Sequence, residues 1–100
     1  MEIKELIDQM HQFVQSKGWY TETSPRPQTL KNLAISLVLE SCEVLEQFQW
    51  SDHHSDKEKL AEELADVFLY LLQISSLANI DLEQATLHKL AKNYHRQWDS

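Results

Sequence analysis

Between Leu33 and Leu72 the sequence runs forwards and then backwards through the same chemistry. An apolar block from Leu33 to Leu39, broken only by Ser36, leads into Glu40, Glu43 and Glu46. Beyond a polar stretch, Glu62, Glu63 and Asp66 lead back into Val67 to Leu72. The pairs Glu40/Glu43 and Glu63/Asp66 are symmetric about residue 53, inside Ser51-Asp52-His53-His54-Ser55-Asp56. A chain turning there sets apolar block against apolar block and acid pair against acid pair. The expectation is a helix hairpin with four carboxylates on facing helices.

The rest of the chain is helical in the same way. Ile3, Leu6, Ile7, Met10, Phe13 and Val14 form an i, i+3, i+4, i+7 stripe, closed by Gly18 at a helix C-terminus. Thr21, Thr23, Ser24, Pro25 and Pro27 mark a loop. Thr29 is the expected N-cap of a second helix reaching about Phe48, and Asp56 or Ser55 that of a third over about 57–78. Asn79 stops it, and Asp81 caps a fourth helix that carries Leu82, Ala85, Leu87, Leu90 and Ala91 and frays near Arg96. One Gly and two Pro in 100 residues suit long helices with short connections. The prediction is a single all-α domain over 1–100, a four-helix bundle around a central antiparallel hairpin.

Val67 to Leu72 is apolar on every side, which a helix on a monomer's surface is not. Either the other helices encase it or a second subunit covers part of it. So short a chain has little material for encasement, and a homo-oligomer is expected, a dimer or a dimer of dimers. The net charge of −7 argues against a nucleic-acid partner, which needs a basic face. Met1-Glu2-Ile3-Lys4-Glu5 has no signal-peptide character and no apolar run approaches ~20 residues. The expectation is a cytoplasmic protein without a membrane partner. The lone Cys42 leaves no internal disulfide and reads as a small buried filler.

Three residues along a helix subtend about 300°, so the members of each acid pair stand about 60° apart. With Leu60, Leu64, Val67 and Leu71 as the apolar centre of the third helix, Glu63 lies at its margin and Asp66 further round. Two like charges about 4 Å apart, at an effective dielectric near 20, repel by about 4 kcal/mol. Between residues 32 and 56 there is no Lys or Arg to neutralise them. A divalent metal accounts for the quartet, and oxygen-only ligands point to Mg²⁺ or Mn²⁺. Spacing alone admits a solvated acidic face equally well. His53 and His54, adjacent in a polar turn, read as solvated rather than as zinc ligands.

Glu40-Ser41-Cys42-Glu43, followed after about twenty residues by Glu63-Leu64-Ala65-Asp66, resembles the E-x-x-E … E-x-x-D signature of the MazG-like all-α nucleoside triphosphate pyrophosphohydrolases, the dCTP pyrophosphatases among them. The flanks Leu45 to Trp50 and Glu62 to Leu71, the segment Ile80-Asp81-Leu82, and the spacing of Lys89 and Asn93 extend the resemblance over about residues 29–96. Departures occur at Cys42, where the family usually has Gly, in the loose match of Pro25 to Leu33 to a Pro-x-Asn-Leu approach, and in Tyr94-His95-Arg96, where a basic run is interrupted. They bear on substrate choice more than on chemistry.

The resemblance implies cleavage of a nucleoside triphosphate to monophosphate and pyrophosphate. Glu40, Glu43, Glu63 and Asp66 would hold Mg²⁺, with Mn²⁺ as a substitute. Glu46 would hold a second metal or take the water's proton, or stay solvated. Lys89 and Asn93 match phosphate-contacting positions, with Arg96 a weaker candidate. Trp50 and Trp19 offer faces on which a base can stack, or close the core; Tyr70 lines the pocket or packs. Two alternatives stay open: a phosphoribosyl-ATP pyrophosphohydrolase, and a helical dimerisation module without catalysis.

Overall fold

Each helix begins and ends where a local chemical signal stands. The computed structural model describes residues 1–53 and 56–98, so His54 and the alternative cap Ser55 lie outside the described residues. The helices are α1 (Ile3–Ser16), α2 (Leu30–Glu46), α3 (Lys57–Leu77) and α4 (Leu82–His95), with no strand among the described residues. Thr29 Oγ1 accepts the Asn32 N–H at 3.1 Å. Asp56 and Asp81 do the same for Glu58 and Gln84, at 2.9 and 3.0 Å. Each bond satisfies an amide left without an intrahelical partner in the first turn.

α1 and α3 stop by one device. Gly18, at φ 72°, donates to Gln15 O at 3.0 Å while Trp19 donates to Val14 O at 3.3 Å. Asn79, at φ 57°, donates to Ser76 O at 3.1 Å while Ile80 donates to Ser75 O at 2.8 Å. These are paired 5→2 and 6→1 bonds around a left-handed residue, open to Gly and tolerated by Asn. The first reverses the chain so that Trp19 and Tyr20 fold back onto the core.

That core is small. Met10, Val14 and Leu72 are buried together, with Ile3, Leu6, Ile7, Trp19, Tyr20 and Leu82 packed against them; Leu33 is buried at the α2 wall. α3 packs against both α1 and α2. α4 bends away from α3 by 102° and buries none of its own residues. The four helices are therefore those expected, but within one chain α4 does not close a bundle.

Leu72 is buried, but Phe68, Leu69 and Leu71 remain 40, 41 and 37% exposed, so of the two alternatives for this stretch the chain's own helices do not supply full encasement. One expectation is corrected. Cys42 is exposed rather than a buried filler; it lies on an outward α2 stripe with Val38 and Leu45, which the folded chain leaves bare. The whole chain exposes 8271 Å², against about 5,900 Å² for a compact monomer of its mass. Its radius of gyration is 16.1 Å, where about 13 Å is usual for this length. No single helix among the described residues is long and apolar enough to cross a membrane.

Candidate functional site

The packing of α2 on α3 brings Glu40, Glu63 and Asp66 together. One carboxylate oxygen of each lies within 4.8 Å of the others. Glu40 and Glu63 are half-buried and Asp66 is exposed. Burial, then the charges of Asp66, Glu63 and Glu43 in that order, hold the Glu40 carboxyl above its ordinary range. Every influence on it acts in that direction, and none is an opposing cation. Glu43 thus joins the cluster through its field, outside the close group of three.

A donor set of this kind fits a hard cation. The 4.8 Å span is close to the ~4.2 Å across an octahedral Mg²⁺ site. All three donors are carboxylate oxygens, which suit Mg²⁺ or Mn²⁺. A bound cation would also relieve the crowding at Glu40.

The acids open onto a cavity of about 680 Å³ between α1, the 19–28 loop, α2 and α3. Its walls are apolar, with Met10, Phe13, Val14, Leu33 and Leu69 among them, while Glu40 and Asp66 stand at its acidic side. Trp19 and Tyr70 line it too. Trp19 is held edge-on to Phe13 at 5.8 Å between centroids, with the Arg26 guanidinium 5.6 Å from its ring. Apolar walls with a few convergent polar groups are what a small-molecule site needs.

The polar groups form a wired series. Gln73 Nε2 donates to Gln28 Oε1 at 2.8 Å and to the Tyr20 hydroxyl at 3.2 Å. Tyr20 lies 2.6 Å from His11 Nδ1, and His11 Nε2 lies 2.7 Å from Ser76 Oγ. Burial pushes the Tyr20 hydroxyl up, partly offset by the Gln73 bond, so it stays protonated at neutral pH. None of Gln28, Gln73 or His11 was marked by the sequence as a site residue. The available signal was one amide, Gln73, inside the otherwise apolar run Val67 to Ile74.

The other expected residues lie elsewhere. Glu46, at the exposed end of α2, is outside the close group. Trp50 is 90% exposed, which removes the core-closing alternative; it lines neither cavity. Lys89 and Asn93 line a second cavity of about 310 Å³ on α4, with Leu82 and Leu90. There Asn93 Oδ1 is buried without a hydrogen-bond partner. Arg96 stacks on Trp98 at 3.9 Å.

Known proteins resemble this chain in sequence and in fold. The profile of the MazG nucleotide pyrophosphohydrolase domain matches residues 28–99. The dCTP pyrophosphatase 1 of Mus musculus is 31% identical over 100 residues, 90% of this chain and 56% of that protein. The human dCTP pyrophosphatase 1 is also 31% identical over the same extent. The chain thus spans little more than half the length of these relatives. A pyrophosphatase from Archaeoglobus fulgidus superposes with a TM-score of 0.76 at 36% identity, covering 93% of this chain and 89% of the other.

Proposed function

Because the chain belongs to the MazG nucleotide pyrophosphohydrolase family, we propose that it hydrolyses (deoxy)nucleoside triphosphates to monophosphate and pyrophosphate. The observation that carries this reading is the three-acid cluster opening onto a nucleoside-sized cavity. The relatives named for dCTP support a deoxynucleotide, and a role in clearing or balancing the nucleotide pool.

Glu40, Glu63 and Asp66 would hold Mg²⁺, with Glu43 adding charge beside them. A bound Mg²⁺ supplies charge neutralisation at the phosphate oxygens and activation of water. The cavity walls hold the nucleoside and exclude bulk water, while Tyr70 and Trp19 flank the base. The fold is a single domain whose hairpin is antiparallel. In support, α2 packs on α3 and brings Glu40 against Glu63 and Asp66. The working form is a homo-oligomer, at least a dimer. Trp50, Lys89 and Asn93 reach the nucleotide across the subunit contact, which the exposure of Trp50 and the place of the other two on α4, a helix without buried residues, support.

The test is a nucleotide screen with Mg²⁺ and pyrophosphate detection, on wild type and Glu63→Gln. Wild type turns over at least one triphosphate, releasing pyrophosphate, and Glu63→Gln loses orders of magnitude, since misplacing the charge at the phosphates is costly. Near-normal turnover in the variant removes the acids from the site. Turnover confined to phosphoribosyl-ATP would select that activity instead. No turnover and no Mg²⁺ response would leave a helical dimerisation module.

A further inference from the structure

We infer that Gln73 reads the base, presenting a fixed carbonyl oxygen that selects cytosine and adenine, whose amino group stands at the pyrimidine 4 or purine 6 position. The inference rests on the cavity receiving a nucleotide. Its starting point is the Arg26 backbone carbonyl, which can only accept. Gln28 approaches it at 2.7 Å, so the Gln28 atom there is the amide nitrogen, and its oxygen faces Gln73. The Gln73 atom 2.8 Å from that oxygen must therefore be its nitrogen. The second N–H of that nitrogen goes to the Tyr20 oxygen. Beyond it, the Tyr20 hydroxyl lies 2.6 Å from His11 Nδ1, and His11 Nε2 lies 2.7 Å from Ser76 Oγ. One backbone carbonyl thus sets the orientation of both amides.

With both N–H groups of its amide engaged, Gln73 has only its oxygen left to offer. The residue is 3% exposed and lines the cavity. Its oxygen is not sealed in, since Asn93 Oδ1 is the one buried side-chain oxygen or nitrogen without a partner among the described residues. Gln73 lines the cavity, and it is onto this space that we place the oxygen. Asp66, Tyr70 and Gln73 stand at i, i+4 and i+7 on α3, so Gln73 lies about 10 Å along the helix from the acid end. That is the order of a nucleoside's length from its 5′ oxygen to its base edge. Cytosine and adenine place an amino donor there. Uracil, thymine and hypoxanthine place a carbonyl, and acceptor would face acceptor at a nearly buried amide.

The experiment compares kcat/KM for dCTP against dUTP and for dATP against dITP. Wild type favours the amino member of each pair by about ten- to a hundred-fold, the effect of one unpaired buried acceptor. Gln73→Met removes the acceptor at similar length and brings both ratios toward one. Gln28→Met leaves Gln73 in place but frees its amide to rotate, and lowers the ratios through KM more than kcat. At a half-buried loop position it keeps the test open if Gln73→Met does not fold. Turnover with ratios near one in wild type, or ratios unmoved in the folded variants, overturns the inference while leaving the proposed function intact. Calorimetry with dCMP and dUMP reads the preference without turnover; equal binding, or none, overturns it also.

Discussion

Glu40 is the residue at which the site's electrostatics are most concentrated. Its carboxyl is held above the ordinary range by burial and by three neighbouring acids, so the folded chain binds that proton more tightly than the unfolded chain does. Between the ordinary and the raised value, unfolding releases a proton, and stability falls as pH rises. This contribution is complete below the ordinary value and lost as pH climbs through the raised one. In metal-free protein, thermal melts of Glu40→Gln should match wild type at low pH and rise above it toward neutral pH. Mg²⁺ should raise the wild-type melting temperature by binding the folded state, and do so far less in the variant. Coincident curves at every pH, with no Mg²⁺ response, would make the acids an ordinary solvated face. Trp50 poses a separate question, because it is 90% exposed and supports no core. Trp50→Ala should raise KM more than it lowers kcat, the signature of contact shared by ground and transition states. An unchanged KM would remove Trp50 from nucleotide binding.

At the level of elements, the local signals were legible because their physics is local. Thr29, Asp56 and Asp81 each close a bond within two or three residues, and Gly18 and Asn79 each end a helix through their own backbone. Gly18→Ala tests this directly. An added Cβ there meets nothing within 4 Å, so the cost is the left-handed backbone alone, about 1–2 kcal/mol in a urea melt. Thr29→Ala should cost about 1 kcal/mol, at the start of the helix that carries Leu33 and Glu40. A neutral result for either would mean that the ends are held by packing instead. The acid cluster was legible for a related reason, since a turn near residue 53 brings Glu40 opposite Glu63 and Asp66. Gln73 was not legible, because its partners Gln28 and Tyr20 lie 45 and 53 residues away and only the folded chain joins them. The departure of α4 was equally hidden. Its apolar pattern states that a face must be covered, not by what.

For the whole molecule the decisive quantity is surface. The 8271 Å² exposed exceeds the compact-monomer value by roughly 2,300 Å². Two chains each burying that much would share an interface within the ~2,000–5,000 Å² range of obligate dimers. The bare area is apolar and organised by helix. Val38, Cys42 and Leu45 lie on one stripe of α2, Leu64, Phe68 and Leu71 on one of α3, and Leu87, Leu90 and Tyr94 on one of α4. A second copy of the chain can cover such stripes, and α4, which buries none of its own residues, is the element with most to gain. Light scattering at micromolar concentration should therefore report at least twice the 11.8 kDa chain mass. The melting temperature should rise with protein concentration, because association stabilises only the folded chain. Leu87, 52% exposed on a helix with no buried residue, is the place to test this. In an isolated monomer, Leu87→Lys would replace one exposed side chain by another and change little. In an oligomer it would bury an unpaired charge, dissociate the assembly at low concentration and abolish the concentration dependence of melting. A wild-type monomer that melts at one temperature across a hundredfold range of concentration would refute the assembly. It would also leave Trp50, Lys89 and Asn93 without a route to the cavity.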